Sequence, residues 1–130
     1  MKNIIITGAN SGLGFETAKK IAADKDYRVI LACRNAEKAA VAKEKIIADT
    51  GNEAVETLRL DTSLLSSVRE FADNFVNVYG TVDVLINNAG ISPMRDSGTT
   101  EEGFEVVFAT NYLGHFLLTQ LLFCLFAAAV

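Results

Sequence analysis

Residues 7–14 read TGANSGLG and follow directly on Asn3, Ile4, Ile5 and Ile6, so glycine and small polar residues crowd the point where an apolar strand ends. Bare backbone at the start of a helix suits the binding of phosphate. The N–H groups of a first helical turn lack intrahelical partners and carry the positive end of the helix dipole. In a strand–turn–helix unit of a parallel sheet, Gly8 permits the tight turn, Gly12 the close approach of a pyrophosphate, and Gly14 the packing of helix on strand. Spaced glycines also fit a simple structural turn, and their position directly after the first strand is what favours the ligand.

A second group of chemical interest lies at the end of the next strand. A dinucleotide site that prefers NAD carries Asp or Glu about 20 residues after the glycine turn, where the carboxylate bonds the ribose 2′-hydroxyl and repels a 2′-phosphate. Here that stretch reads Cys33, Arg34. The neutral residue removes the repulsion and the guanidinium can hold a phosphate through charge-assisted hydrogen bonds, so NADP is expected ahead of NAD. Lys38, a turn later, either adds a second charge or is a solvated residue at a helix start.

The elements that must position these residues alternate along the chain. Short β-branched runs are expected as strands at Asn3 to Thr7, Arg28 to Cys33, Ala54 to Leu60 and Val82 to Asn87. Helical patterns lie between them, from Gly12 to Ala23 and from Ala36 to Ala48, the latter stopping at Thr50 and Gly51. A third carries Leu64, Val68, Phe71, Phe75 and Tyr79 on one stripe, with Ser63 or Thr62 placed to cap it. A fourth is expected from Thr100 or Glu101 onward to the last residue, with Gly103 and Gly114 as weak points. Strand, helix, strand, helix at this spacing is α/β: a parallel sheet with helices on both faces.

At 130 residues and half apolar composition, one compact domain is expected, and no repeat, low-complexity tract or Pro-rich linker divides it. A net charge of −4 without basic runs argues against nucleic acid as a partner. Cys33 and Cys124 lack metal or redox spacing, and His115, the only histidine, has no second ligand nearby in sequence, so no metal is expected. Unpaired cysteines and an N-terminal apolar run too short for a signal peptide point to a reducing, cytoplasmic setting.

The glycine motif of residues 7–14 matches, position for position, the Thr-Gly-x-x-x-Gly-x-Gly of the classical short-chain dehydrogenases/reductases, and the chain resembles that family in three further motifs. These are LDTS at 60–63, NNAG at 87–90 and TNYLGHFLLT at 110–119. The likeness is nearest to the NADP-dependent branch that holds retinol dehydrogenases and protochlorophyllide reductases. It implies a Rossmann-like fold with cofactor contacts from Gly8, Asn10, Ser11, Gly12, Leu13, Gly14, Asp61, Thr62, Asn87, Asn88, Ala89 and Gly90, beside Arg34 and Lys38. Asp61 takes the family's adenine-contacting position, although its place before a helix suits a cap as well. Asn87 and Asn88 can also serve to stitch loops together. Asn111 stands where the family has its catalytic-tetrad asparagine, which bends the helix and helps hold a water. His115 reads as helix packing.

The same resemblance implies a hydride transfer assisted by a Tyr, a Lys four residues later and a Ser. The tyrosines here, Tyr27, Tyr79 and Tyr112, are followed four places on by Leu31, Asp83 and Phe116. The chain is therefore expected to be the cofactor-binding half, truncated after the central helix, which binds a dinucleotide without turning over substrate; a small-molecule substrate belongs to a full-length parent. A non-catalytic interaction or assembly module is the alternative. Phe116, Leu117, Leu118, Leu121, Leu122, Phe123, Leu125 and Phe126 go nearly round a helix, and one sheet face cannot cover them all. The apolar run from Phe116 is shorter than a membrane span, so a homo-oligomer held through this helix is expected rather than a membrane anchor.

Overall fold

A computed structural model describes residues 1–126. In chain order they form β1 (Lys2–Thr7), α1 (Gly12–Ala22), β2 (Tyr27–Cys33), α2 (Ala36–Thr50), β3 (Val55–Arg59), α3 (Leu65–Val78) and β4 (Val84–Ile86). A central helix then covers Val106–Leu125. All strand pairs are parallel and the sheet order is β3-β2-β1-β4. The chain works outward from β1 to β3 and then crosses back to set β4 on the other side of β1. That reversal opens a crevice at the carboxyl ends of β1 and β4.

Strand β1 is covered on both faces, which is why it reads as an unbroken isoleucine run rather than an alternation. Ile4 and Ile6 pack with Ala18, Ala22, Val29, Leu31 and Ile46, under α1 and α2. Ile5 points the opposite way, into Ile30, Val68, Phe71, Phe75, Leu118 and Leu122, under α3 and the central helix. Full burial of each such side chain contributes about 1.5–3 kcal/mol. The two cores together clamp β1, so the turn that leaves it starts from a fixed point.

The strands and the first two helices lie within a residue or two of the sequence reading, and α2 runs on to Thr50. Gly51, at φ 70°, closes it by donating its N–H to the Ile47 carbonyl at 2.8 Å.

Helix α3 buries its stripe as expected, but neither Ser63 nor Thr62 caps it. Ser63 gives both its N–H and its hydroxyl to the Asp61 carboxylate, at 3.0 and 2.6 Å, and Thr62 is buried. The cap comes instead from Glu102, whose carboxylate oxygens accept from the N–H groups of Leu65 and Ser66. A carboxylate at a helix N-terminus satisfies orphan donors and complements the dipole.

The central helix begins later than the sequence suggested. Residues 100–104 close a turn in which Thr100 N–H reaches the Phe104 carbonyl at 2.7 Å and Gly103 takes φ 90°. Glu105 is the N-cap, accepting from Val107 and Phe108 at 3.0 and 2.7 Å. Gly114, expected as a weak point, is instead a contact: an added Cβ would sit 2.8 Å from the Thr62 carbonyl carbon. The helix ends in a 3-10 turn at Phe123–Leu125, and Phe126 bridges to Val82 at the foot of β4. Residues 127–130, taken as helical in the sequence reading, lie outside the described residues.

Val106–Leu125, a longer segment that begins ahead of the apolar run from Phe116, is long and apolar enough, by length and composition, to cross a membrane. One face of it is nonetheless packed inside the protein, with Leu118 and Leu122 fully buried.

Removing the long-range cap should loosen α3 specifically. Glu102→Ala is expected to lower the unfolding free energy by about 1 kcal/mol, as loss of an N-cap typically does. Urea unfolding followed by circular dichroism checks this, and an unchanged midpoint would refute the cap.

Candidate functional site

The crevice between β1 and β4 is built by the close approach of two turns. Gly8, leaving β1 at φ 66°, lies so near the turn after β4 that an added Cβ would stand 2.9 Å from the Ala89 Cα. A Cβ on Gly14 would stand 2.5 Å from the Gly8 carbonyl oxygen, so α1 starts hard against its own strand. Thr7 joins the two turns. Its hydroxyl accepts from the N–H groups of Asn88 and Ala89, each at 2.9 Å. The Asn88 amide reciprocates, donating to the carbonyls of Thr7 and Gly8 at 3.0 and 3.3 Å.

Above this junction lies a cleft of about 430 Å³ lined by Gly8, Asn10, Ser11, Leu13, Gly14, Arg34, Lys38, Asp61, Thr62, Asn88, Ala89 and Gly90. These are most of the residues singled out from the sequence. Ser11 precedes α1 in an extended conformation and makes no side-chain cap, and the first turn holds no acidic residue. The first bond of the helix is from Phe15 N–H to the Ser11 carbonyl at 3.2 Å, which leaves the Gly12, Leu13 and Gly14 amides ahead of it. Arg34 and Lys38, both exposed, line the same cleft. Asn35 caps α2 between them, accepting from Lys38 N–H at 2.9 Å.

Two expected contacts, Gly12 and Asn87, are not in this cleft, and neither is Asn111, expected in the catalytic position. Gly12 turns outward at φ 57° with nothing within 4 Å of an added Cβ, so it is open to a ligand from solvent but does not line the wall. Asn87 is exposed and donates to the Thr119 hydroxyl at 3.2 Å. Asn111 bonds the backbone of Ile91 twice, accepting its N–H at 2.8 Å and donating to its carbonyl at 2.9 Å. Asn87 and Asn111 share a neighbouring groove with Tyr112, His115, Phe116 and Thr119. Asn111 lies within a π-turn that widens the helix over Ala109–Leu113.

The sequence reading missed Ala32, Asn35, Leu60, Ile91 and Thr110, which complete the lining. Each except Ala32 stands next to a residue that was singled out. Asp61 lines the cleft, but it does not cap α3 as its place before the helix suggested: its carboxylate ties back Ser63, two residues on and outside the helix. His115 is more than packing: its Nε2 lies 2.8 Å from the Thr7 hydroxyl and its Nδ1 3.3 Å from the Asn111 carbonyl. Burial holds its imidazole below the ordinary 6.5, and the carbonyl works weakly the other way. Burial likewise pushes the Cys33 thiol up, against the smaller effect of the Ala9 and Asn10 amides. Among the described residues no three His, Cys, Asp or Glu side chains are grouped to hold a metal ion.

A parallel sheet with a reversed strand order, a glycine turn and a crevice at the switch point defines the Rossmann-like dinucleotide-binding class. Residues 2–129 match the model of the short chain dehydrogenase family, and the chain belongs to that family. It is 49% identical over 122 residues to retinol dehydrogenase 13 of Mus musculus, covering 93% of this chain and 36% of that protein. It is 45% identical over 122 residues to the chloroplastic protochlorophyllide reductase of Pisum sativum, covering 92% of this chain and 30% of that one. Among solved structures, a metagenomic short-chain oxidoreductase in complex with NADP superposes with a TM-score of 0.78 at 28% identity, covering 95% of this chain and 55% of that one. The chain thus spans about a third of the length of these curated relatives.

The two glycines of the turn should respond differently to a methyl group. Gly14→Ala forces backbone apart and is expected to cost about 1–3 kcal/mol or more of stability. Gly12→Ala meets no neighbour and should cost only about 1–2 kcal/mol of left-handed strain. Denaturant midpoints of the two variants, compared side by side, check the order.

Proposed function

We propose that residues 1–130 form one domain, the NADP(H)-binding half of a short-chain oxidoreductase that, as a whole protein, moves a hydride between the nicotinamide and a small carbonyl or alcohol substrate. The observation that carries this reading is one cleft lined both by the start of α1, whose first-turn amides have no cap, and by Arg34 and Lys38. The fit follows from the donors. The α1 amides suit a pyrophosphate, and the turn around them is held so close to Ala89 that only glycine is accommodated at Gly8. At the end of β2 the buried, neutral Cys33 stands where a carboxylate would repel a 2′-phosphate, and the Arg34 guanidinium is free to reach one. The bound dinucleotide would supply the hydride chemistry. This chain's own residues bind and orient it, and Asn111, from the π-turn of the helix, fixes the segment that follows the cleft.

A second copy of the chain is the proposed partner. Phe108, Tyr112 and Phe116 stack in a row along the outer face of the central helix, with centroids 5.3 and 6.2 Å apart, and all three are about half exposed. Phe123 extends the same apolar surface. Leu118 and Leu122, in contrast, face the core, so they report on folding and not on association. A helix whose inner face holds fully buried leucines and a hydrogen-bonded His115 is better suited to protein than to lipid on both sides. The free cysteines, one of them exposed, support a reducing cytoplasmic location.

Calorimetric titration at moderate salt tests the cofactor reading. NADP(H) should bind more tightly than NAD(H) by about 1–3 kcal/mol, and Arg34→Ala should remove most of that gap. Equal affinities in the unmutated chain would refute the role of Arg34. For association, Tyr112→Glu combined with Phe116→Glu should yield a folded monomer by light scattering. A monomer before mutation, at high micromolar concentration and without detergent, would refute the partner.

A further inference from the structure

The Thr7 hydroxyl has one proton to give and two lone pairs to fill. The N–H groups of Asn88 and Ala89 occupy both lone pairs. Two acceptors remain for the proton, the Ile86 carbonyl at 3.5 Å and Nε2 of His115 at 2.8 Å. Only the second is at a good O–H bonding distance. Nε2 therefore carries no proton, and in the neutral ring the proton sits on Nδ1, which faces the Asn111 carbonyl at 3.3 Å.

We propose that His115 is a positioning residue which, as the neutral Nδ1–H tautomer, locks the central helix to the Thr7 hydroxyl and thereby fixes the turn after β4 against the cofactor cleft. The contacts close a ring. Thr7 holds Ala89, the chain runs through Gly90 to Ile91, Asn111 holds Ile91 by two hydrogen bonds, and His115 connects Asn111 back to Thr7. Without an acceptor at Nε2 the hydroxyl proton turns toward the distant Ile86 carbonyl, and the two amides lose their fixed lone pairs. With a proton on Nε2 three donors compete for two lone pairs, and one amide is released. Ala89, Gly90 and Ile91 all line the cleft, so slack in this ring is slack in the binding wall. The adjoining groove beside the imidazole is lined, apart from Asn111, by Asn87, Tyr112, Phe116, Thr119 and Gln120, with no Asp, Glu, Lys or Arg among them.

This inference rests on the dinucleotide reading for its consequence, but not for its chemistry, and two measurements separate them. The chain has a single histidine, so nitrogen NMR of the labelled protein reports on one imidazole. At pH 7 Nδ1 should be protonated and Nε2 bare, whereas an Nε2–H tautomer or an imidazolium would overturn the lock. NADPH affinity is then compared in the unmutated chain, His115→Leu and His115→Gln. Leucine removes the acceptor and should weaken binding about five-fold, while glutamine, whose Oε1 can accept from Thr7, should stay within about two-fold of the original. Unweakened binding by His115→Leu, or a folded His115→Gln as weak as the leucine variant, would overturn the positioning role. If the unmutated chain fails to bind NADPH, the cofactor reading falls alone and the nitrogen spectrum still decides the lock.

Discussion

Everything at the carboxyl end of the sheet depends on how closely two turns are pressed together. The turn leaving β1 and the turn leaving β4 come so near that neither Gly8 nor Gly14 has room for a Cβ, and the gap between them is bridged by the Thr7 hydroxyl and the Asn88 side-chain amide. The hydroxyl is the acceptor for the Ala89 N–H and shares the Asn88 N–H with the Ile86 carbonyl at 3.1 Å; an amide left without a partner in such a junction loses about 1–3 kcal/mol. No side-chain nitrogen or oxygen buried among the described residues lacks a partner, so the crevice is a polar junction with its bonds accounted for. The cleft is shaped by backbone, and its shape survives because the two apolar cores hold β1 from both faces.

A division of labour follows. Part of the cleft lining is turn backbone and the start of a helix, and part is Arg34 and Lys38, exposed side chains on long stems. Under the proposed reading, backbone amides give geometry that any dinucleotide shares, and the exposed cations give discrimination between dinucleotides at little cost to the fold. Specificity would then change by single substitutions at the exposed cations while the junction at Thr7 stays untouched.

This division also explains what the sequence disclosed. The glycine turn, the neutral Cys33 with Arg34 beyond it, and the apolar stripe of α3 were legible because each is a local pattern within one turn or one strand of chain. The cap of α3 was not, because Glu102 lies 36 and 37 residues from the amides it serves and nothing in local spacing marks it. Asn87 and Asn111 sit in the expected motifs yet face a groove beside the cleft, since facing is decided by the register of the turn after β4 and by the wider turn of the helix. Leu118 and Leu122 looked no different in sequence from Phe116 and Phe123. Only the packing of the central helix on α3 tells core from surface.

The π-turn of the central helix is where sequence and site meet most directly. Over Ala109–Leu113 the backbone is wound one residue wider than an α-helix, with the Gly114 N–H reaching back to Ala109. Such turns are rare inside α-helices and are found often at functional sites. Here Thr110 donates to the Val106 carbonyl at 2.7 Å, Thr119 donates to the His115 carbonyl at 2.8 Å, and Nδ1 of His115 lies 3.3 Å from the Asn111 carbonyl, so hydroxyls and an imidazole sit at carbonyls in and around the bulge. The extra residue places Thr110 at the cleft, Asn111 at Ile91 and His115 at Thr7 from adjacent turns of one helix. A straight α-helix would keep residues 111 and 115 on one line and 110 about 100° away. The wider turn changes that relation, and so lets a single helix serve both the cleft and the junction beneath it.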